Sequence, residues 1–181
     1  LDLAPAMLLR ARSRVPWWKN LLARQPAAVC ADIERLPVAD ASVGMVWSNL
    51  ALQWVNDLQQ AFAEMQRVLA PGGLLMFSTF GPDTLKELRI AYQGTDRHTH
   101  VNRFVDMHDI GDMLVHSGFA DPVMDMEVLT LTYADVRELM RDLKAIGAHN
   151  VTQGRPAALS GRSRLEAMAR NYEAFRREGR L

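Results

Sequence analysis

Residues 58–80 constrain the fold most. They combine the pattern of an amphipathic helix, a Pro-Gly-Gly segment that ends it, and an apolar run. Apolar side chains recur at helical spacing over residues 58–69, and Pro71-Gly72-Gly73 then ends the pattern. Residues 74–80 follow as an apolar run typical of a strand that is buried on both faces of a sheet. Such a strand needs helices on both sides of its sheet, so this stretch indicates an α/β fold.

The same alternation of strand and helix patterns extends through residues 1–132. The sequence predicts strands at 1–3, 27–31, 43–48, 74–80 and 123–132, and helices from Pro5 and over 58–69, 83–92 and 107–117. Alternating elements of this kind are typical of βαβ units, which form a parallel sheet. Residues 33–42, with Pro37 and scattered charges, are expected to be a loop.

The pattern changes after residue 132. Helices are predicted over residues 134–146 and 162–177, with no strand pattern between them. We interpret them as a helical cap over the carboxyl edge of the sheet. The expected organisation is therefore a core over residues 1–132 and a cap over 133–181 that belongs to the same domain.

Composition argues against several classes of function. Lys plus Arg number 21 and Asp plus Glu number 21, so the chain lacks the basic excess that marks nucleic-acid binding. No apolar run approaches the ~18 residues of a membrane span, and no signal-peptide pattern is present. The single cysteine, Cys30, cannot form an internal disulfide. These features predict a cytoplasmic protein with no membrane span and no nucleic-acid partner.

Polar residues at three predicted strand ends form the candidate ligand site. Asp2, Asp32 and Asn49 follow successive strands, and ligands of open α/β sheets bind beyond the carboxyl ends of the strands. The carboxylate of Asp2 can accept both hydroxyls of a ribose, and that of Asp32 can accept an adenine amino group beside the backbone N–H of Ile33. Each aspartate taken singly would be better explained as a solvated helix cap. Their placement at successive strand ends favours the ligand interpretation.

Four segments of the chain carry a family resemblance. LDLAPAML at residues 1–8, ADIERLP at 31–37, WSNLALQW at 47–54 and RVLAPGG at 67–73 resemble class I S-adenosylmethionine-dependent methyltransferases. The resemblance implies a Rossmann-like methyltransferase sheet with helices on both faces and S-adenosylmethionine as cofactor, released as S-adenosylhomocysteine. It also implies the cofactor-binding residues, which are Asp2, Met7, Asp32, Ile33, Asn49 and Leu50.

Two further segments narrow the resemblance. VNRF at residues 101–104 and LKAIGAHN at 143–150 look like the malonyl-acyl carrier protein methyltransferase family of biotin synthesis, and the similarity covers nearly the whole chain. In that family a first strand with a Gly-rich cofactor loop is expected before Leu1, and a last strand after Leu181. The first strand would lie between the strands that end at Asp2 and Asn49, so we expect those two strands not to pair.

The family esterifies the free carboxylate of a malonyl thioester, which implies a particular kind of site. The carboxylate, with a pKa near ~4, is already ionised at neutral pH, so neither a general base nor a metal is expected. Arg103 is the first candidate to orient it, because a guanidinium binds carboxylates with fixed geometry. Lys144, His149 and Trp54 are the other substrate-binding candidates. Each has a plainer interpretation, as a solvated lysine, a helix cap and a core tryptophan.

The resemblance also implies a carrier for the substrate, and two alternative functions stay open. The substrate carrier is expected to be acyl carrier protein or coenzyme A. The carboxyl end is basic, either as a solvated helix face or as a docking patch for an acidic carrier, and its arginines are Arg162, Arg164, Arg170, Arg176, Arg177 and Arg180. Trp-Val-Asn-Asp at residues 54–57 also resembles methyltransferase-like assembly factors of respiratory complex I. A truncated, inactive methyltransferase is the third hypothesis.

Overall fold

The structure, a computed structural model, describes residues 1–14, 27–95, 98, 100–148 and 162–181. Its elements are α1 Pro5–Ser13, β1 Val43–Asn49, α2 Leu58–Val68, β2 Leu69–Ser78, α3 Lys86–Tyr92, α4 Met107–His116, α5 Val136–Ala145 and α6 Arg162–Tyr172, with 3-10 turns at Leu52–Trp54 and Glu173–Phe175. The chain divides into two compact units. The first unit contains residues 1–79 and 108–124, and the second contains residues 80–107 and 125–181.

A parallel strand pair packed against α2 forms the centre of the first unit. Strands β1 and β2 are paired from Met45↔Leu74 to Asn49↔Ser78. The apolar face of α2 is buried, and the Phe62 ring lies 5.5 Å from that of Phe77 on β2. The parallel pairing and the helix on one face of it are as the alternating pattern predicts.

The Pro-Gly-Gly segment ends the helix as predicted, but it lies inside a bulge of β2. The helix stops at Val68, and β2 begins at Leu69 because Leu69 already pairs with Val43. The register then skips to Met45↔Leu74. A Cβ on Gly73 would lie 2.8 Å from the carbonyl oxygen of Ala70, so the bulge requires glycine at this position.

A second, shorter strand contact joins the two aspartate-bearing segments. Asp2 and Cys30 form a parallel bridge, in which the Asp2 N–H donates to the Val29 carbonyl at 3.2 Å and the Ala31 N–H donates to the Asp2 carbonyl at 3.1 Å. Within the described ranges no ladder joins this bridge to β1. That the strands ending at Asp2 and Asn49 do not pair for want of a strand between them stays a prediction.

The prediction of a strand over residues 123–132 is wrong for this structure. The segment forms no ladder with any described residue. Its apolar side chains face solvent, with Val123 92% and Leu129 75% exposed. An apolar, β-branched run becomes a strand only when a neighbouring segment accepts its backbone hydrogen bonds, and the described part of the chain offers none here.

The second unit is built around α3, α5 and α6. Leu88, Ala91, Leu139, Met168 and Tyr172 belong to one buried apolar cluster. The predicted cap helices form, although α5 is shorter than residues 134–146 and the second helix gives way to a 3-10 turn after Tyr172. The predicted division at residue 132 and the placement of these helices over the sheet edge stay predictions.

The carboxyl-terminal residues are tied to the segment before α5. Tyr133 and Leu181 exchange two backbone hydrogen bonds of 2.7 and 2.9 Å. The guanidinium of Arg180 donates to the hydroxyl and the carbonyl oxygen of Thr132, each at 2.9 Å. No helix in the part of the chain that the structure describes is long and apolar enough to cross a membrane.

Candidate cofactor site

The two aspartates predicted to bind the cofactor have the same local geometry. Asp2 forms the isolated bridge with Cys30 and Asp32 follows that bridge by two residues, so the strands predicted at 1–3 and 27–31 are reduced to a single bridge. Asp2 Oδ1 accepts the Ala4 N–H at 2.8 Å, and Asp32 Oδ1 accepts the Glu34 N–H at 3.0 Å. Neither side chain caps a helix, because Ala4 is the N-cap of α1 and no helix begins between Asp32 and β1. The helix-cap interpretation is therefore wrong for both. Each carboxylate keeps Oδ2 without a partner among the described residues, so it can accept further hydrogen bonds.

Asn49 and Leu50 are held at the carboxyl end of β1 by the facing residue of β2. The Ser78 hydroxyl donates to Asn49 Oδ1 at 2.6 Å, while the Leu50 N–H lies 3.1 Å from the Ser78 carbonyl oxygen and 3.2 Å from its hydroxyl. Leu50 adopts a left-handed backbone with φ of +48°, which is unfavourable for a leucine. These contacts hold the turn against that strain and leave the Asn49 side-chain NH₂ as a donor at the strand end.

The loop that follows Ile33 is held against α2 by an ion-pair network. Glu64 Oε2 accepts the Leu36 N–H at 2.7 Å, and both carboxylate oxygens of Glu64 accept the guanidinium of Arg67 at 2.8 and 2.9 Å. Arg67 also pairs with Asp40 and donates to the Leu36 carbonyl at 2.9 Å. The hydrogen bond from Arg67 lowers the pKa of Glu64, and the two carboxylates raise the pKa of Arg67.

Glu34 connects this loop to the segment after β1. Its Oε1 accepts the backbone N–H of Asn56 at 2.9 Å and that of Asp57 at 3.0 Å. Asp57 is in turn the N-cap of α2 and accepts the Gln60 N–H at 2.9 Å. Glu34 therefore joins the segment that contains Asp32, two positions before it, to the segment between β1 and α2.

Three residues that organise the site were missed by the sequence analysis. Glu34, Glu64 and Arg67 make their contacts with residues 22 to 31 positions away in the sequence. Glu34 lies within the ADIERLP segment and Arg67 within RVLAPGG, so the segments that carried the resemblance contain them. Their presence in these segments could have drawn attention to them, but it does not indicate which atoms form hydrogen bonds.

An open pocket of about 530 Å³ lies beside this network. Its lining residues are Asp32, Glu34, Arg35, Gln60 and Glu64. Only Asp32 belongs to the predicted cofactor set. Of the other members of that set, Met7 is 56% exposed on α1, and Leu50 is 42% exposed after β1.

The predicted substrate-binding residues fall in different parts of the chain. Arg103 is exposed and makes no hydrogen bond with any described residue, and Lys144 is exposed in the last turn of α5; both belong to the second unit. Trp54 ends a 3-10 turn of the first unit and is 39% exposed. His149 lies outside the described residues.

Among the carboxyl-terminal arginines, Arg176 and Arg180 have structural partners that limit their availability. Arg176 pairs with both carboxylate oxygens of Glu173 at 2.7 and 2.9 Å and donates to the Gly179 carbonyl at 2.8 Å. This pairing lowers the pKa of Glu173. Arg180 is engaged by Thr132 as described above. The docking hypothesis therefore loses Arg176 and Arg180 as freely available cations.

Comparison with known proteins shows which proteins the chain resembles. A family model for a methyltransferase domain matches residues 1–77. The chain is similar in structure, over 99% of its length, to a candidate methyltransferase from Bacillus halodurans, covering 74% of that chain with a TM-score of 0.63 at 19% identity. The chain has the fold of the class I methyltransferases, and residues 1–77 resemble that family. The Rossmann-like fold expected from the sequence is therefore confirmed.

Three curated relatives of the chain share one name. Malonyl-[acyl-carrier protein] O-methyltransferases from Gallionella capsiferriformans and Methylovorus sp. are 59% and 58% identical to it across the whole chain. The corresponding protein from Nitrosospira multiformis is 54% identical. The chain spans 63%, 62% and 62% of the length of these three relatives.

Proposed function

We propose that this protein is an S-adenosylmethionine-dependent O-methyltransferase that esterifies the free carboxylate of a malonyl thioester in biotin synthesis, in the cytoplasm. The observation that carries the proposal is the identity of 59% over the entire chain with a protein named for that reaction. The match includes the second unit, where the Arg103 and Lys144 segments lie, and so extends beyond the residues matched by the methyltransferase-domain model.

The described side chains fit an adenosine group at the ends of the strands. Asp2 Oδ2 would accept the ribose hydroxyls, and Asp32 Oδ2 would accept the adenine amino group beside the Ile33 N–H. Met7 and Leu50 would supply apolar contacts, and Asn49 a side-chain donor. When bound, S-adenosylmethionine supplies a methyl group on a positively charged sulfur. The free Oδ2 atoms of the two aspartates are the support for this assignment.

The chemistry asks this protein to position groups, and no proton has to be moved. A malonyl carboxylate with a pKa near ~4 is ionised at neutral pH and is already a competent nucleophile. Methyl transfer to it joins opposite charges into neutral products. The contribution of the protein is therefore alignment of the reacting atoms and exclusion of water. No catalytic acid, base or metal is assigned.

Arg103 is the residue we assign to the substrate carboxylate. Its exposed guanidinium makes no hydrogen bond with a described residue, so its donors are available to a ligand. Lys144, His149 and Trp54 are proposed as further substrate contacts. Arg103→Lys should raise KM less than Arg103→Ala does and leave cofactor affinity unchanged, because lysine keeps the charge and loses the fork geometry. Equal KM values for the two variants and the parent protein would contradict the assignment.

Cofactor binding is the first test. Calorimetric titration of the intact protein with S-adenosylhomocysteine should show saturable binding. Asp2→Ala should weaken that binding about tenfold or more, because hydrogen bonds to a charged group are lost. Glu127→Ala is the matched control, because Glu127 is exposed and makes no hydrogen bond with a described residue. Undetectable binding by the parent protein would contradict the proposed function and support the inactive alternative.

The substrate is tested separately. Methyl transfer to malonyl-acyl carrier protein and to malonyl-coenzyme A, measured side by side, identifies the carrier. Expression in a strain that lacks the biotin methyltransferase should restore growth without biotin. Cofactor binding without either activity would contradict the malonyl assignment and favour a methyltransferase-like assembly factor.

A further inference from the structure

We propose that Glu34 is a positioning residue that fixes the Asp32 segment relative to the segment after β1, and so sets the affinity for the adenosine part of the cofactor. The inference rests on the proposed function, since it concerns the same site. It adds a residue to which neither the family resemblance nor the relatives assign a role.

The contacts of Glu34 reach in two directions. Its side-chain Oε1 accepts two consecutive backbone donors, the N–H groups of Asn56 and Asp57, at 2.9 and 3.0 Å. Its own backbone N–H donates to Asp32 Oδ1 at 3.0 Å. One residue therefore holds a carboxylate proposed to bind the cofactor at one end and the entrance to α2 at the other.

The contact with α2 has a clear physical cause. The first N–H groups of a helix and those just before it have no acceptor within the helix, and the helix dipole makes this end favourable for negative charge. Asp57 Oδ1 accepts the Gln60 N–H, and the N–H groups of Asn56 and Asp57 lie just before the helix. Glu34 Oε1 takes both, and the Gln60 side chain closes the contact by donating to the Glu34 carbonyl at 3.4 Å.

A short stretch of chain links the Glu34 contact to Leu50, another proposed cofactor residue. Asn56 lies six positions after Leu50, and the 3-10 turn Leu52–Trp54 occupies most of the stretch between them. Leu50 is itself fixed by Ser78. Loss of the Glu34 contact would leave this turn joined to the Asp32 segment by fewer bonds, so the two halves of the site would sample more relative positions.

A purely structural role makes a different prediction from a positioning role. If Glu34 only stabilised α2, its loss would lower the free energy of unfolding while the folded protein bound cofactor normally. If Glu34 positions the Asp32 segment, affinity falls under conditions in which the protein is fully folded. An isosteric variant separates charge from geometry, because Glu34→Gln keeps a side-chain carbonyl oxygen that can accept both N–H groups.

The test compares Glu34→Ala, Glu34→Gln and the control Glu127→Ala in the intact protein. Two quantities are measured: the affinity for S-adenosylhomocysteine by calorimetry, and backbone hydrogen exchange over residues 50–57 in the absence of cofactor. Glu34→Ala should weaken binding about tenfold and accelerate exchange in that segment, while Glu34→Gln should recover most of both. The control should match the parent protein in both measurements.

Several outcomes would overturn the inference. Unchanged affinity in folded Glu34→Ala would leave Glu34 as a stabiliser of α2 only. Unchanged exchange over residues 50–57 would show that Glu34 does not hold this segment. Failure of the parent protein to bind S-adenosylhomocysteine would contradict the proposed function, and with it the role of Glu34 in cofactor affinity. The exchange comparison would then still decide whether Glu34 joins the two segments.

Discussion

The contact between α2 and β2 gives the most direct test of the fold that supports the site. Phe62 is fully buried, and its ring centroid lies 5.5 Å from that of Phe77, tilted by 53°. Phe62→Leu keeps an apolar side chain but removes the ring contact, which in aromatic pairs contributes about 0.5–1.5 kcal/mol beyond burial. Exchanges of similar volume cost less than about 1.5 kcal/mol in themselves. We therefore expect the free energy of unfolding to fall by about 1–2 kcal/mol.

Urea denaturation of the intact protein measures this change, with Phe62→Ala and Ala63→Ser as companions. Phe62→Ala should cost about 3–5 kcal/mol, because a cavity replaces the whole ring. Ala63 is exposed on the same helix, and Ala63→Ser should stay within about 0.5 kcal/mol of the parent protein. A loss below about 0.5 kcal/mol for Phe62→Leu would mean that the ring does not pack between α2 and β2, and the reasoning would fail.

Three further predictions follow from the described contacts. Gly73→Ala should destabilise the protein by about 1–3 kcal/mol, because the added Cβ would lie 2.8 Å from the carbonyl oxygen of Ala70. Gly81→Ala is the control, since a Cβ there meets nothing within 4 Å. Equal unfolding midpoints for the two variants would contradict the bulge. The hydrogen bond from Arg67 holds the pKa of Glu64 in the folded protein below its ordinary value of about 4.3. The stability that ionised Glu64 contributes is therefore complete above about pH 4.3 and is lost as the pH falls through the folded-state pKa. As the pH is lowered, the urea midpoint of Glu64→Gln should fall less steeply than that of the parent protein, and parallel profiles would refute this. Arg180→Ala removes both hydrogen bonds to Thr132, so limited proteolysis should cut the carboxyl end faster than in the parent protein; an unchanged rate would count against that contact.

Local periodicity in the sequence was enough to predict α2 and β1. The apolar spacing over residues 58–69 predicts α2 to within one residue, and the run at 43–48 predicts β1 almost completely. Both patterns report burial on one face of a regular element, which depends on neighbours three, four or two positions away. The order of the strands then placed Asp2 and Asp32 at adjoining ends, and the bridge between Asp2 and Cys30 agrees with it.

Pairing partners were outside the reach of the same reasoning. Residues 123–132 carry a strand-like composition and yet form no ladder with any described residue. The bulge at Pro71-Gly72-Gly73 has a similar origin, since Leu69 joins the strand only because Val43 is opposite it. A strand is defined by hydrogen bonds to another segment, and the sequence of the strand alone does not specify that segment.

The sequence by itself thus determined which residues form the helices and which polar side chains follow the strands, because both depend on short-range patterns. The tertiary structure decided how those side chains are held. Arg67 pairs with Glu64 three positions away and with Asp40 across 27 positions, and Glu34 reaches Asn56 across 22. Such contacts depend on the path of the whole backbone, which brings together donors and acceptors that carry no mark of each other in the sequence.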